Sequence, residues 1–393
     1  MIHLFINAVA ASAGGGLTYV RNVLPHLLVR KDVRTTILLS AALRGEIAES
    51  ERLAVLSEDV PTGSGRRFWY EQRTLPGLIR RSRANVLLSA GNFVVYSSPV
   101  PQILLSGNTL YTSTEFVRDL RHRGDYRLWL DNEVKGTLAC WSVRAADCTV
   151  APSATFAAEL RRWTGKDVIT IHHGFDADAF FRNQAPLSQM AQEQLAETQG
   201  SLRLLFVSHF NYYRNFETLI RALEILKGKL HPRRVRLILT CNLGSRLNPG
   251  NGNPGNYSSK ATAGLVQQLR LDREIVQLGA VPYSALHHLY RACDLYVTPA
   301  YAETFAHPLV EAMASGLPIV ASDLAVHKEI CGDAALYFPR FSPEDLAEMV
   351  LRVIRSKEQS AVMRQMGLLR SRNFSWNKHV DQLLQLARDL AHT

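Results

Sequence analysis

Apolar residues along this chain fall into short, nearly unbroken runs, separated by stretches where they recur every three or four positions. The runs cover 2–6, 33–39, 86–88, 103–105, 148–151 and 168–171 in the first half, then 202–207, 235–240, 275–278, 295–297 and 319–321. Unbroken runs predict strands buried on both faces, hence parallel sheets covered by helices. The intervening spacing predicts those helices: Leu17, Val20, Val23, Leu24, Leu27 and Leu28 share one helical face, as do Phe216, Leu219, Ile220, Leu223 and Leu226. A last amphipathic helix is expected over 374–390, with Val380, Leu383, Leu384, Leu386 and Ala387 as its buried side. The second half repeats the logic of the first. Two doubly wound α/β domains facing one cleft are therefore expected, joined through the polar, Gln-rich stretch 182–200.

The stretch 299–323, PAYAETFAHPLVEAMASGLPIVASD, carries the strongest local pattern. It reads as strand, loop, short helix, turn, strand. Pro308 suits the first helical turn, where a missing N–H costs nothing. Gly316 suits the left-handed position past the helix end, with Pro318 as a stop. Glu303 then lies in the loop and Glu311 within the helix. The amides of Thr304, Phe305 and Ala306 are expected at the helix start, where backbone donors and the helix dipole favour an anion such as phosphate. Carboxylates beside such a seat do not bind phosphate; hydroxyl groups of a ribose or hexose are the chemistry they fit.

Other candidates are weaker. Gly14, Gly15 and Gly16 follow the first strand; the spacing is not a dinucleotide fingerprint, and either a tight turn or close approach of Gly15 and Gly16 to a ligand fits. Asn108 and Thr109 follow a strand end, where open α/β sheets bind ligands, and serve equally well as turn residues. His172, His173 and Asp176 cluster around Gly174, itself a candidate turn. Ser153 and Asn215 are expected helix caps. Arg214, just before a helix, would place a cation near the phosphate seat. The stretch 66–83 holds six arginines and one acid, interleaved with Phe68, Trp69 and Tyr70. It fits either a surface resting on anionic lipid or a helix that packs its aromatics on the sheet and solvates its arginines. Residues 242–259, rich in Asn, Gly and Pro, are expected to form a surface loop.

Composition narrows the classes. With 393 residues, 47% hydrophobic and 20% charged, the chain is globular and long enough for two cores. No apolar run reaches the roughly 20 residues of a membrane helix, and the N-terminus is read as a buried strand rather than a targeting segment. Five scattered cysteines fit reduced buried thiols in a cytoplasmic protein, and no Cys/His spacing suggests a metal. A formal charge of +10 leaves nucleic acid, an anionic membrane or an anionic small substrate as partners. No nucleic-acid motif accompanies the charge, so specific nucleic-acid binding is not expected.

The E-x7-E pattern in ETFAHPLVEAMASGLPIVASD resembles the retaining, nucleotide-sugar-dependent glycosyltransferases of family 4 (glycosyl transferases group 1), which have the GT-B fold. The resemblance extends in order through the glycine loop, APSATFAAEL, HGFDADAF, SHFNYYRNFETLIRAL, LGAVPYSALHHLYRACDLYVTPA, GDAALYF and FSW, nearly the whole chain. It implies two Rossmann-like domains, 1–182 on the acceptor side and 183–376 holding the donor, with helix 377–393 crossing back to the first. It further implies Glu311 on the ribose, Glu303 on the transferred sugar, and the amides of Phe305, Ala306 and His307 on the diphosphate. Arg214 stands where the family usually has a lysine, and His209 where it usually has an arginine; with Glu303 they form the implied catalytic set. Thr304 and Ala306 replace residues commonly glycine, and Gly107 sits near a cleft histidine of many relatives. Asn108, Thr109 and His173 become acceptor-side candidates. The implied reaction is metal-independent transfer of a hexosyl group, with retention, to a saccharide, lipid-linked or small-molecule hydroxyl, as in bacterial surface polysaccharide, lipopolysaccharide or glycolipid synthesis. A cytoplasmic protein, peripheral on the inner face of the plasma membrane, is expected. A GT-B sugar-nucleotide epimerase and a non-catalytic scaffold of the same fold are the alternatives.

Overall fold

The computed structural model describes residues 1–393 except 12–13, 40–44, 46, 57, 59, 62, 184, 244–256 and 393. Most of the expected loop 242–259 thus lies outside the described residues. Strands β1 (Ile2–Ala8), β2 (Val33–Leu39), β3 (Leu53–Leu56), β4 (Val86–Ser89), β5 (Gln102–Leu105), β6 (Cys148–Ala151) and β7 (Ile169–Thr170) form one sheet, in the order β3-β2-β1-β4-β5-β6-β7. Strands β8 (Leu202–Phe206), β9 (Val235–Leu239), β10 (Ile275–Gln277), β11 (Leu295–Thr298), β12 (Ile319–Ser322) and β13 (Ala335–Phe338) form the other, in the order β10-β9-β8-β11-β12-β13. Every strand pairing among these is parallel.

The helices, in chain order, are α1 (Gly14–Leu28), α2 (Ser64–Ser82), α3 (Thr114–His122), α4 (Tyr126–Ala145), α5 (Ala154–Thr164), α6 (Ala177–Arg182), α7 (Gln189–Ala196) and α8 (Phe216–Leu230). They continue with α9 (Lys260–Gln268), α10 (Leu286–Ala292), α11 (His307–Ala314), α12 (Ala325–Cys331), α13 (Pro343–Arg355), α14 (Lys357–Ser371) and α15 (Trp376–Ala391). The chain divides into two compact units: Met1–Thr112, Asp125–Gly174 and Ser375–Thr393 in one, Ser113–Gly124 and Phe175–Phe374 in the other. The first unit contains the seven-stranded sheet and the second the six-stranded sheet.

Each sheet is covered on both faces, which is why its strands read as unbroken apolar runs. In the first unit, α1 and α15 bury Val20, Leu24, Val380 and Leu384 against Leu4, Ile6 and Leu88. The opposite face carries α2, which packs Leu75, Leu78 and Ile79 on Phe5, Leu38 and Leu87. In the second unit, α8 and α13 cover one face, and α10, α11 and α12 the other. The Gln-rich stretch carries α7, whose Ala191 and Leu195 are buried in this second core.

Several local expectations change. The glycine triplet is not a loop: α1 begins at Gly14, and a Cβ on Gly16 would lie 3.4 Å from the Ala11 Cα, so the bare residue lets the helix start close to the chain leaving β1. The run 168–171 shortens to a two-residue edge strand. Helix α2 forms, and Tyr70 packs against the core on this sheet face, whereas Phe68 and Trp69 do not join it. Trp69 is 60% exposed, and Phe68 meets Phe93 edge-on at 6.0 Å.

Candidate active site

Strand β11 delivers the chain into the loop 299–306 at its carboxyl end, the edge where open parallel sheets hold ligands. Helix α11 follows with Pro308 in its first turn, and Gly316 ends it at φ 65°. Ala306 also has positive φ, 64°, at the N-cap position. A Cβ is disfavoured there, so this loop holds a strained alanine where glycine would rest easily.

Glu303 sits in that loop, its side chain 12% exposed, ion-paired with the Arg214 guanidinium. Its second carboxylate oxygen accepts from the Thr304 N–H at 3.0 Å. That amide, expected to face a phosphate, is therefore taken up by the neighbouring carboxylate. Burial pushes the Glu303 carboxyl up, but Arg214 and the Thr304 amide outweigh it and hold the group below the usual carboxylate range. Arg214 ends a 3-10 turn (Tyr212–Arg214), and its guanidinium lies 5.2 Å from the Tyr213 ring centroid. Its Nε is buried without a partner among the described residues. His209 belongs to the same electrostatic neighbourhood. Burial first, then Arg214, lowers its pKa to about 4, with Glu303 opposing. It is a neutral imidazole at neutral pH and not a cation.

Asn215 does not cap α8. It adopts φ 55°, and its Nδ2 donates to the carbonyls of Pro299 (3.1 Å) and Arg340 (2.7 Å) while Oδ1 accepts from the Thr218 hydroxyl. A cap requires an extended backbone; here the side chain instead ties the start of the Glu303 loop to the helix behind Arg214.

Glu311 lies on α11, 4% exposed. The Tyr290 O–H, from α10, donates to its Oε2 at 2.7 Å. Burial raises the carboxyl to about 7 despite that bond. No cation is paired with it among the described residues, so near neutral pH it is poised between acid and carboxylate.

Three further groups escaped the sequence reading. Both side-chain polar atoms of Asn211 are buried without a partner among the described residues. So is Nε2 of His327, whose Nδ1 lies 3.1 Å from both the carbonyl and the hydroxyl of Ser322. Burial lowers the His327 pKa to about 4, keeping it neutral. Tyr301 donates to Asp119 of α3 at 2.6 Å, and Arg123 bridges Asp119 and Glu217 at 2.8 and 3.0 Å. The available signal was position: Asn211 and Tyr301 both follow strands at the carboxyl edge.

The remaining candidates belong to the other unit. Asn108 caps a short 3-10 turn by accepting from the Leu110 N–H at 3.1 Å, and Thr109 donates to Glu159 at 3.3 Å. His173 packs among Tyr19, Trp376 and His379, with ring centroids 5.3 to 5.7 Å apart. The neighbouring Gly174 is needed for close approach, since a Cβ there would lie 2.1 Å from the Trp376 nitrogen. A D-x-D spacing does occur at Asp176 and Asp178, but Asp176 caps α6 and Asp178 pairs with Arg182 at the surface. Among the described residues no group of three or more metal-ligating side chains comes together, and no helix is long and apolar enough to cross a membrane.

Comparison with known proteins agrees with this architecture. Residues 189–370, which include both glutamates and Arg214, match the family model of glycosyl transferases group 1. The D-inositol 3-phosphate glycosyltransferase of Corynebacterium aurimucosum is 24% identical over 228 residues, 57% of this chain and 51% of that protein. The O-antigen chain mannosyltransferase B of Escherichia coli is 29% identical over 120 residues, 30% of this chain and 32% of that protein. The chain thus spans about half the length of the first and a third of the second. Among solved structures, Anabaena HepE in complex with UDP-glucose superposes with a TM-score of 0.73 at 16% identity, covering 99% of this chain and 100% of that one. The likeness establishes the fold, two Rossmann-like α/β domains of the GT-B type.

Proposed function

The chain belongs to the glycosyl transferases group 1, and from that premise we propose that it transfers a hexosyl group from a nucleoside diphosphate sugar to a hydroxyl acceptor, with the anomeric configuration retained. The observation that carries the reading is the pair of buried glutamates flanking the start of α11, one held anionic by Arg214 and the other with no cation beside it among the described residues. A pair so differentiated suits two different hydroxyl-bearing groups. Glu311 accepts from the ribose hydroxyls, whose donation replaces lost water and favours its carboxylate form. Glu303 accepts from the transferred sugar.

In the reaction the bond between C1 and the diphosphate oxygen breaks, and C1 bonds the acceptor oxygen on the same face. The acceptor's proton passes to the departing diphosphate. Charge accumulates on that leaving group, so donors fixed in advance lower the barrier. In this reading Arg214, whose Nε has no partner among the described residues, and the backbone of Phe305, Ala306 and His307 supply them. His209, being neutral, contributes a hydrogen bond rather than a charge. Assembly of a bacterial surface polysaccharide, lipopolysaccharide or glycolipid is the setting we favour, because one relative is an O-antigen mannosyltransferase.

Thermal-shift screening against nucleoside diphosphate sugars tests the reading, since a ligand bound only by the folded state raises the melting temperature. Stabilisation by one such donor, with product formed when acceptors are added, is expected. Donor binding and product formation unchanged in both Glu303→Ala and Arg214→Ala would remove the site assignment. Interconversion of the donor without transfer would point to an epimerase instead.

A further inference from the structure

One face of the seven-stranded sheet carries a helical layer whose outer side the proposed reaction does not use. Leu87 of β4 pairs with Gln102 of β5, and Ser89 with Leu104, so Leu87 and Leu104 point to the same face. Helix α2 packs on that face over Leu87, while α4 and α5 pack Val143, Phe156 and Leu160 over Leu104 and Ala151. Helices α2 and α4 therefore lie on one side of the sheet, and their solvent-facing sides look the same way. They are also near one another: Gln72 of α2 donates to the Val94 carbonyl at 2.8 Å, and Val94 shares a buried cluster with Val143 of α4.

That outer side is unusual in two respects. On α4, Tyr126, Leu130, Val134 and Trp141 are 63%, 58%, 53% and 53% exposed. Their spacing of four, four and seven puts them in one stripe along the helix. On α2, Trp69 is 60% exposed between Arg66 and Arg73, with the Arg73 guanidinium 5.5 Å from its ring centroid. Helix α2 holds five arginines and one acid, and only Arg67 forms an ion pair among the described residues, with Glu71. On α4 Asp131 is already neutralised by Lys135 at 2.7 Å, and Arg127 and Arg144 outnumber the remaining acid, Glu133, which borders the stripe.

Exposed aromatics and aliphatics set among uncompensated arginines match the region where bilayer headgroups meet acyl chains. Indole and phenol rings favour that boundary, and guanidinium groups pair with lipid phosphates. The excess positive charge selects an anionic surface over a second copy of this chain, which would bring the same arginines against each other. We propose that the outer side of α2 and α4 docks this protein on an anionic lipid bilayer, the apolar stripe entering the headgroup boundary and the α2 arginines meeting the phosphates. The inference does not depend on the transferase reading and is tested without any sugar.

The full chain is mixed with vesicles of equal parts phosphatidylglycerol and phosphatidylcholine, and with phosphatidylcholine alone. Co-sedimentation and tryptophan fluorescence report binding. Partition onto the anionic vesicles with a blue shift, weakened by molar salt, is expected. Arg66→Glu with Arg73→Glu and Arg80→Glu lowers partition about 100-fold or more, from roughly fivefold per basic side chain near the surface. Leu130→Ser with Trp141→Ser lowers it separately, with an unchanged melting temperature certifying the fold. Failure to bind anionic vesicles overturns the proposal, as does binding undiminished in both variants. A dimer in light scattering that the Leu130/Trp141 variant dissolves also overturns it, because a second copy then covers the face.

Discussion

Glu303 and Glu311 are the same residue type on the same structural feature, and their surroundings have driven them in opposite directions. Glu303 sits on a loop against Arg214 and a backbone amide, which keep it anionic although nearly buried. Glu311 sits inside a helix against a phenol, and burial leaves it titrating near 7. Burial disfavours both carboxylates and each accepts a hydrogen bond from a neutral donor, so the Arg214 cation is the main difference between them. Two acids that differ this way serve different tasks: a permanently charged one can answer charge developing in a reaction, while one near its pKa responds to whether donors have arrived.

The largest expected effect breaks the charged half of that contrast. Glu303→Gln and Arg214→Met each lower transfer about 1000-fold. Arg214→Met also strands a buried carboxylate and costs about 3–5 kcal/mol in urea unfolding, while the double variant costs less than the sum. An unchanged urea midpoint in Arg214→Met would show that the pair is not a buried one.

A smaller effect sharpens the other half. A folded-state pKa raised to about 7, above the ordinary value of 4.5, gives stability that is whole at acid pH and is lost as pH rises through 7. The wild type therefore loses about 3 kcal/mol relative to Glu311→Gln between those values. Binding of a nucleotide whose ribose donates to the carboxylate weakens about tenfold per pH unit below 7 in the wild type, and not in Glu311→Gln. Parallel pH profiles for the two proteins would refute the titration. The smallest effect concerns the loop joining the two sites: Ala306→Gly removes a Cβ from a backbone at φ 64° and gains about 1 kcal/mol. A loss of stability instead would mean the alanine methyl packs well enough to outweigh its strain.

Much of this was legible in the sequence because the signals are local. Pro308 and Gly316 bracket α11 by their own backbone restrictions, and the unbroken runs named most of the strands. What was not legible depends on residues distant along the chain. Tyr290 meets Glu311 only because α10 and α11 pack on one sheet face. Asn215 has the composition of a cap, but its bonds to Pro299 and Arg340 draw it out of the extended backbone a cap needs. Trp69 satisfied the aromatic spacing of a packed helix, yet Leu75, Leu78 and Ile79 occupy the sheet side. The Thr304 amide pointed to phosphate until the neighbouring carboxylate claimed it.

The route of the chain has a consequence for genetics. Residues 113–124 join the second unit from within the first unit's stretch of sequence, and the segment from Ser375 returns to the first. Neither unit is therefore encoded by one continuous block. A stop codon or a protease nick at a single site cannot release either one whole. A hybrid that borrows its donor-side unit from a homologue has to import two separate exchange blocks, and a single crossover between such genes yields a chimera with α3 mismatched to the surface it was selected to cover.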